Sequence, residues 1–375
     1  MPATPAPPGR LESLDGLRGL AAVVVLVHHS LLVVPALAEP YYGKPAEPGL
    51  ASWLVHTPLH LAWAGTEGVY LFFVLSGLVL ALATRSRSFS WGSYFPSRIV
   101  RLYVPALAAI AFAAVVIAVL PRDGASESIW LERRPDGYTL AGVLRDAVLV
   151  NGVSGTVSPL WSLQWEVLFS LLLPVYLYLS RRAPVWLQLL VCFALSTLGA
   201  YSGVAALRYL PMFGIGLALA AGWDRLGEAI GRMSRRTAAV VWPIAVTAAL
   251  LGIVSYWMVL PFTTDAVARV ATMAPTLAAV ALFIVAAVHA PGLRSLLSSR
   301  VFRWLGGISF SLYLVHEPIV IATAHLVSRP MLTVFVAAPV ALVVAWLFFR
   351  AVESPAHRLA RRVRDDARER MPVSA

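Results

Sequence analysis

The chain is 375 residues long and contains one cysteine, Cys192. A single thiol excludes an internal disulfide and any metal site built from cysteine pairs. It sits in an apolar run, where inert packing is expected. Charge is scarce as well, at 13% of residues against 59% hydrophobic, and a soluble domain carries about a quarter charged residues. Lysine is nearly absent, with Lys44 alone, so arginine supplies the formal net charge of +11. In so apolar a chain that charge points to the membrane rather than to nucleic acid, because basic residues collect on cytoplasmic loops and near anionic lipid. Abundant arginine and alanine hint at a GC-rich bacterial genome. No internal repeat, glycine-rich phosphate loop or separate soluble domain is visible, and no metal is implied.

What remains is a series of long apolar segments. Ten are expected, at roughly 18–38, 66–84, 103–120, 159–180, 184–202, 206–222, 237–260, 268–290, 304–327 and 331–352, each near the ~20 residues that cross a bilayer. The segments at 66–84 and 206–222 are the shortest and are candidates for re-entrant turns. With the N-terminus in the cytoplasm, 22 of the 30 basic residues fall on inside segments, which predicts both termini inside. Arg10, Arg18, the apolar run and Ala36-Leu-Ala38 imitate a signal peptide. The length of the run and its two histidines favour a retained first helix. Residues 1–13 are expected to be a disordered leader, 14–355 the membrane domain and 356–375 a basic cytoplasmic tail. Two outside loops, about 39–65 and 121–158, are placed to cap an external site.

Titratable residues inside spans are functional candidates by default. Leu14-Asp-Gly-Leu-Arg-Gly leads into the segment that carries His28 and His29. Arg18 and His29 are eleven residues apart, about 20° past three helical turns, so they share a face about 16 Å apart along the axis. His28 lies about 80° away and is expected to pack or hydrogen-bond a neighbouring helix. Ser162 and Glu166 share a face of the fourth segment, where Glu166 is as readily an ion-pair partner for a neighbouring arginine as a direct participant. Ser309, Tyr313, His316 and Glu317 form a stripe on the ninth, and His316 reaches the depth of His29. Arg98 and Arg101 lie together just before the third segment, where they are either topology anchors or phosphate ligands.

Six of these stretches resemble, in order, the blocks of the acyltransferase-3 family of integral membrane O-acyltransferases. They are Arg18-x10-His29, Phe72-Phe-Val-Leu-Ser-Gly77, Arg98-x-x-Arg101 with Pro105, Trp161-Ser-Leu-x-x-Glu166, Tyr313-Leu-Val-His316-x-Pro318 and Glu353-Ser-Pro355. The resemblance runs from Leu14 to about Pro355. Tyr70 stands where the family often has an acidic residue, and Leu78 where it has an aromatic one.

The resemblance implies an all-α polytopic membrane protein of the bacterial cytoplasmic membrane. It implies transfer of an acyl group, acetyl foremost, from acyl-CoA as co-substrate to a hydroxyl of a carbohydrate, glycolipid or macrolide-type acceptor, with no bound cofactor. By the same resemblance His29 is the general base, Arg98 and Arg101 bind acyl-CoA, and Arg18 assists in that binding or polarises the thioester carbonyl. Glu166 and His316 orient His29 or bind acceptor hydroxyls, and Glu166, Ser162 and Tyr313 contact the acceptor. The acceptor is reached by the membrane domain directly or through a separate partner. The alternative reading is a transporter or flippase, in which the intramembrane His and Glu relay protons or bind solute.

Overall fold

The computed structural model describes residues 12–87, 89–120, 122, 128–150, 152–327 and 329–369. Among these the regular structure is all helical. Ten long helices are apolar enough to cross a membrane. They are α1 (Glu12–Leu31), α2 (Gly65–Ala83), α3 (Trp91–Val119), α4 (Leu160–Ser180), α5 (Val185–Ser202), α6 (Ala205–Gly231), α7 (Arg235–Ile253), α8 (Asp265–His289), α9 (Arg300–Val327) and α10 (Pro330–Phe348). A π-helical turn, Phe349–Glu353, joins α10 to α11 (Ser354–Glu369). The chain is thus an all-α polytopic membrane protein. Both described ends lie on one face of the bundle, here the terminal face. The stretches between α1 and α2, α3 and α4, and α7 and α8 lie on the opposite, loop face.

Several boundaries differ from the sequence reading. α1 stops at Leu31, because Pro35 disfavours helix in the residue before it and starts a separate short helix, Pro35–Ala38. Glu12 and Ser13 belong to α1, so the expected leader is shortened there; residues 1–11 lie outside the described residues. α3 begins at Trp91, twelve residues before the expected start, behind the Ser90 cap whose hydroxyl accepts from the Ser93 amide. Arg98 and Arg101 therefore sit within the helix and not ahead of it. The two suspected re-entrant segments are full helices of 19 and 27 residues. Hydropathy stopped short at Asp224, which the helix carries onward with Arg85 as its partner.

Burial separates inner from outer helices. About 78% of the most apolar window of α9 is buried, against 11% for α5 and for α7. The outer helices present Trp186, Leu190, Val240 and Ile244 outward, as a lipid-facing surface does. At the centre, α1 packs along α9 and α2. A Cβ on Gly19 would come within 2.5 Å of the Gly306 amide, one on Gly306 would strike the Asp15 carbonyl, and one on Gly16 the Leu297 carbonyl. Backbones this close need glycine, since lipid supplies no hydrophobic drive and contact must come from packing. Gly77 and Gly216 serve the α2–α6 crossing in the same way.

Candidate active site

The glycines of the α1–α9 crossing set the distance between the histidines those helices carry. His316 Nδ1 lies 2.9 Å from the Leu312 carbonyl oxygen, and His316 Nε2 lies 2.7 Å from His29 Nδ1. A carbonyl only accepts, so the proton is on His316 Nδ1. In a neutral ring Nε2 is then the acceptor, and His29 Nδ1–H must donate to it. His29 Nε2 is left with its lone pair. The two rings meet edge to edge and close to coplanar, 24° between planes and 4.9 Å between centroids, and Trp130 from the loop face stacks on His29 at 5.6 Å. His28 turns away, with Nδ1 3.0 Å from the Trp63 carbonyl oxygen, and its ring blocks any side chain at Gly65.

The loop-face segments are fastened over this pair. Glu317, fully buried, accepts from the Ser158 amide and hydroxyl at 2.5 Å each and pairs with Arg134 at 3.2 Å. Arg134 in turn lies over the Trp130 ring. Ser128 donates to the Leu32 carbonyl at the end of α1. Ser162 and Tyr313 share a 2.6 Å hydrogen bond between α4 and α9.

Toward the terminal face lies a cluster of charge. Arg98 donates from Nη2 to Glu166 Oε1 at 2.7 Å and from Nε to Ser170 Oγ at 3.0 Å, and Ser76 donates a second bond to Glu166 Oε1. Of the two alternatives for Glu166, the structure contains the ion pair; the carboxylate makes no hydrogen bond to either histidine. Glu353 accepts from the Ser311 amide and hydroxyl. Arg18 and Arg101 are within electrostatic range of Arg98, Glu166 and Glu353. Among the described residues, neither Arg18 nor Arg101 makes a hydrogen bond or an ion pair. Asp15 is also in range of Arg18, and Arg101 is exposed; both guanidinium groups are open to a phosphate, which arginine binds in a forked, bidentate contact.

The arrangement is therefore a polar line through the bundle. It starts with three arginines and two carboxylates near the terminal face, follows one side of α1, and ends on an imidazole with a free nitrogen under a capped loop face. The family model described as an acyltransferase domain matches residues 11–350. The chain belongs to the acyltransferase-3 family. It is 28% identical to the acyltransferase MdmB of Streptomyces mycarofaciens over 324 residues, 82% of this chain and 78% of that one. It is 23% identical to the peptidoglycan O-acetyltransferase OatA of Listeria monocytogenes over 382 residues, 92% of this chain and 55% of that protein. Protein 2 of the picA locus of Rhizobium radiobacter is 31% identical over half of this chain. No solved structure matches.

Of the residues singled out from the sequence of this acyltransferase-3 chain, His29 and His316 are brought together, as are Ser162 with Tyr313 and Glu166 with Arg98. Two further residues belong to the Glu166 network, and a third stands apart from it. Ser76 stood in the second-helix block without a role of its own, and Ser170 is visible only through its partners, although it stands four residues after Glu166 on the same face. Glu67 had a signal, a lone carboxylate in the first turn of an apolar span. It is buried beside Arg208, one helical turn before Tyr70, whose hydroxyl accepts from Arg208 at 2.6 Å.

Proposed function

We propose that the chain transfers an acyl group, acetyl foremost, from acyl-CoA to a hydroxyl of a carbohydrate-containing acceptor, in the bacterial cytoplasmic membrane with both termini in the cytoplasm. The observation that carries this reading is the free His29 Nε2, fixed by His316 and the Leu312 carbonyl at the end of a line of arginines. Family membership supports transfer chemistry, and the name of the Listeria relative supports an O-linked acetyl product and a glycan acceptor.

The donor enters from the terminal face. Arg101 and Arg18 hold phosphate oxygens of the coenzyme, with Arg98 kept in place by Glu166 and Ser170. The pantetheine arm follows α1 inward and brings the thioester to His29, about 16 Å from Arg18 along the axis. The acceptor hydroxyl arrives from the loop face and gives its proton to His29 Nε2 as its oxygen attacks the thioester carbonyl. The tetrahedral oxyanion collapses, the C–S bond breaks, and the coenzyme thiolate takes the proton back from the imidazolium. The acyl group passes directly from one substrate to the other, with no covalent enzyme intermediate. General base action contributes about 10²–10⁴-fold, and positioning of the two substrates supplies much of the rest.

Incubation with radiolabelled acetyl-CoA and no acceptor tests the scheme. Direct transfer leaves no label on the denatured protein. Label retained on His29 or a serine, and passed on when acceptor is added, would replace it with a two-step mechanism. Loss of thioester-dependent transfer in His29→Ala with acceptor export intact separates this reading from a carrier.

A further inference from the structure

Outside this line, an apolar groove of about 720 Å³ runs down the outer flank of the bundle from the terminal face. Its two walls come from different elements. One is the first half of α7, from Arg235 to Val246, with the buried Trp242 at the floor. The other is the short helix Pro291–Leu297, which contributes Leu293 and Leu296. Pro291 creates that wall. It holds Ala290 extended, so α8 ends and the short helix is set beside α7. Ala238 and Ala239 on the facing wall are too small to fill the gap.

Eleven residues separate Arg235 from Val246, about 16 Å along the helix axis. One leaflet of hydrocarbon is about 15 Å deep, half of the full core. The groove therefore begins level with the headgroups and ends near the midplane, the reach of one acyl chain. Val240 and Ile244 on the same helix are exposed, so this flank faces lipid. An unfilled void there forfeits dispersion contacts that a chain supplies. At the headgroup end the charge is of one sign. Arg235 lines the groove, Arg236 follows it, and Arg294 stands between Leu293 and Leu296 in the other wall. Among the described residues, none of the three side chains makes a hydrogen bond or an ion pair. The acids at this end of α6 are already paired, Asp224 with Arg85 and Glu228 with Arg232. From there to Glu317 the sequence holds one acid, Asp265, and it lies on the loop face. A zwitterionic headgroup brings an ammonium that these arginines repel. A phosphate without one meets them in forked contacts.

We infer that this groove is a binding site for an anionic phospholipid of the surrounding leaflet, with one acyl chain over Trp242 and the phosphate held by Arg235 and Arg294. The inference is independent of the acyl-transfer reading and needs only that the ten helices cross a membrane. A basic side chain beside an anionic headgroup is worth about fivefold in affinity. Two of them give a preference of about 25-fold over a headgroup without net charge. Lipid around the rest of the bundle exchanges without such a preference, so the site is distinguished by its selectivity and by holding one molecule.

The test uses the full chain in phosphatidylcholine nanodiscs that carry a rising share of chain-brominated phosphatidylglycerol or chain-brominated phosphatidylcholine. Bromine quenches tryptophan at close range, and the Trp242 signal is the difference between wild type and Trp242→Phe. Brominated phosphatidylglycerol should quench that signal at a mole fraction about tenfold or more below the one brominated phosphatidylcholine needs. Arg235→Gln combined with Arg294→Gln should erase most of that gap. Native mass spectrometry gives a readout that needs no tryptophan variant. Ejected from nanodiscs of equal phosphatidylglycerol and phosphatidylcholine, the wild-type chain should retain one phosphatidylglycerol, and the double arginine variant should lose it. Equal quenching by the two lipids, or retention of both alike, overturns the proposal and returns the arginines to topology anchoring. Failure of either lipid to quench Trp242 shows that the groove holds no lipid chain and overturns it too. So does a double variant with undiminished preference.

Discussion

His316 makes no contact that requires it to touch substrate, yet its removal is expected to cost nearly as much as removal of the base. In His316→Ala the 2.7 Å bond that pins His29 Nδ1–H disappears. The ring is then free to carry its proton on Nε2, where it no longer accepts one, and to rotate from its stacked position. Loss of a tautomer-fixing partner costs up to about 10⁴-fold in hydrolases that hold a histidine this way. The whole contribution of a general base is about 10²–10⁴-fold, or about 3–5 kcal/mol of barrier. The expected loss in His316→Ala is therefore about 10²-fold or more in the rate of acyl transfer. It should come with about 1–3 kcal/mol of lost stability from the orphaned N–H. Because the two residues act as one unit, His29→Ala combined with His316→Ala should be no slower than His29→Ala alone. The assay is release of free coenzyme thiol in the presence of acceptor, on nanodisc-embedded variants that elute as the wild type does. A His316→Ala enzyme with a third of wild-type activity, or a double variant whose loss equals the product of the single losses, would refute the relay.

Further outcomes follow from other contacts. His28→Ala should keep much of the transfer activity, since its Nδ1 is occupied by the Trp63 carbonyl; a loss equal to that of His29→Ala in the same thiol assay would count against the assignment. Gly306→Ala drives a methyl into the Asp15 carbonyl and should cost about 1–3 kcal/mol by overpacking. Transfer should fall with it as the histidines move apart, and an unchanged unfolding temperature with full activity would contradict the close crossing. Arg101→Gln should weaken acetyl-CoA binding and flatten its salt dependence, whereas Arg98→Gln should also lower the unfolding temperature by stranding Glu166. Equal unfolding temperatures for the two variants would refute that difference. His60, buried on the loop face against Tyr41, is held well below the ordinary imidazole range by desolvation. The unfolded chain therefore takes up its proton first, and stability is full above about pH 6.5 and declines below it, by at most about 1.4 kcal/mol per pH unit. Thermal unfolding of wild type and His60→Gln between pH 7.5 and 5 should show the shallower decline in the variant.

The ten spans were legible because each is a long apolar run, and the Arg18–His29 phase because both residues lie on one unbroken helix. Where a span ends depends on things hydropathy does not weigh. Pro35 closes α1 early although Val33 and Val34 continue the apolar run, and the Ser90 cap opens α3 before its charged turn is over. The partners of the polar residues were less legible, since they lie on other helices. Glu166 was readable as paired or as free, and only the packing of α3 against α4 decides for Arg98. Glu67 is a matter of weighing: one acid in the first turn of a span reads as an interface residue until Arg208 and Trp257 are seen around it.

The π-helical turn at Phe349–Glu353 makes the length of the chain, and not only its composition, part of the site. Such a turn holds one residue more than an α-helical turn. Deleting Ala351 would restore regular helix without loss of a single apolar contact required for crossing the membrane. It would also rotate everything beyond by about 100° and draw it in by about 1.5 Å. Glu353 would leave the Ser311 amide, the arginine cluster would lose one of its two carboxylates, and α11 would swing off the flank of α3. Apart from Glu353, side chains along this turn are replaceable by others of similar size. The count of residues is not, so natural variation here should appear as substitution and hardly ever as insertion or deletion.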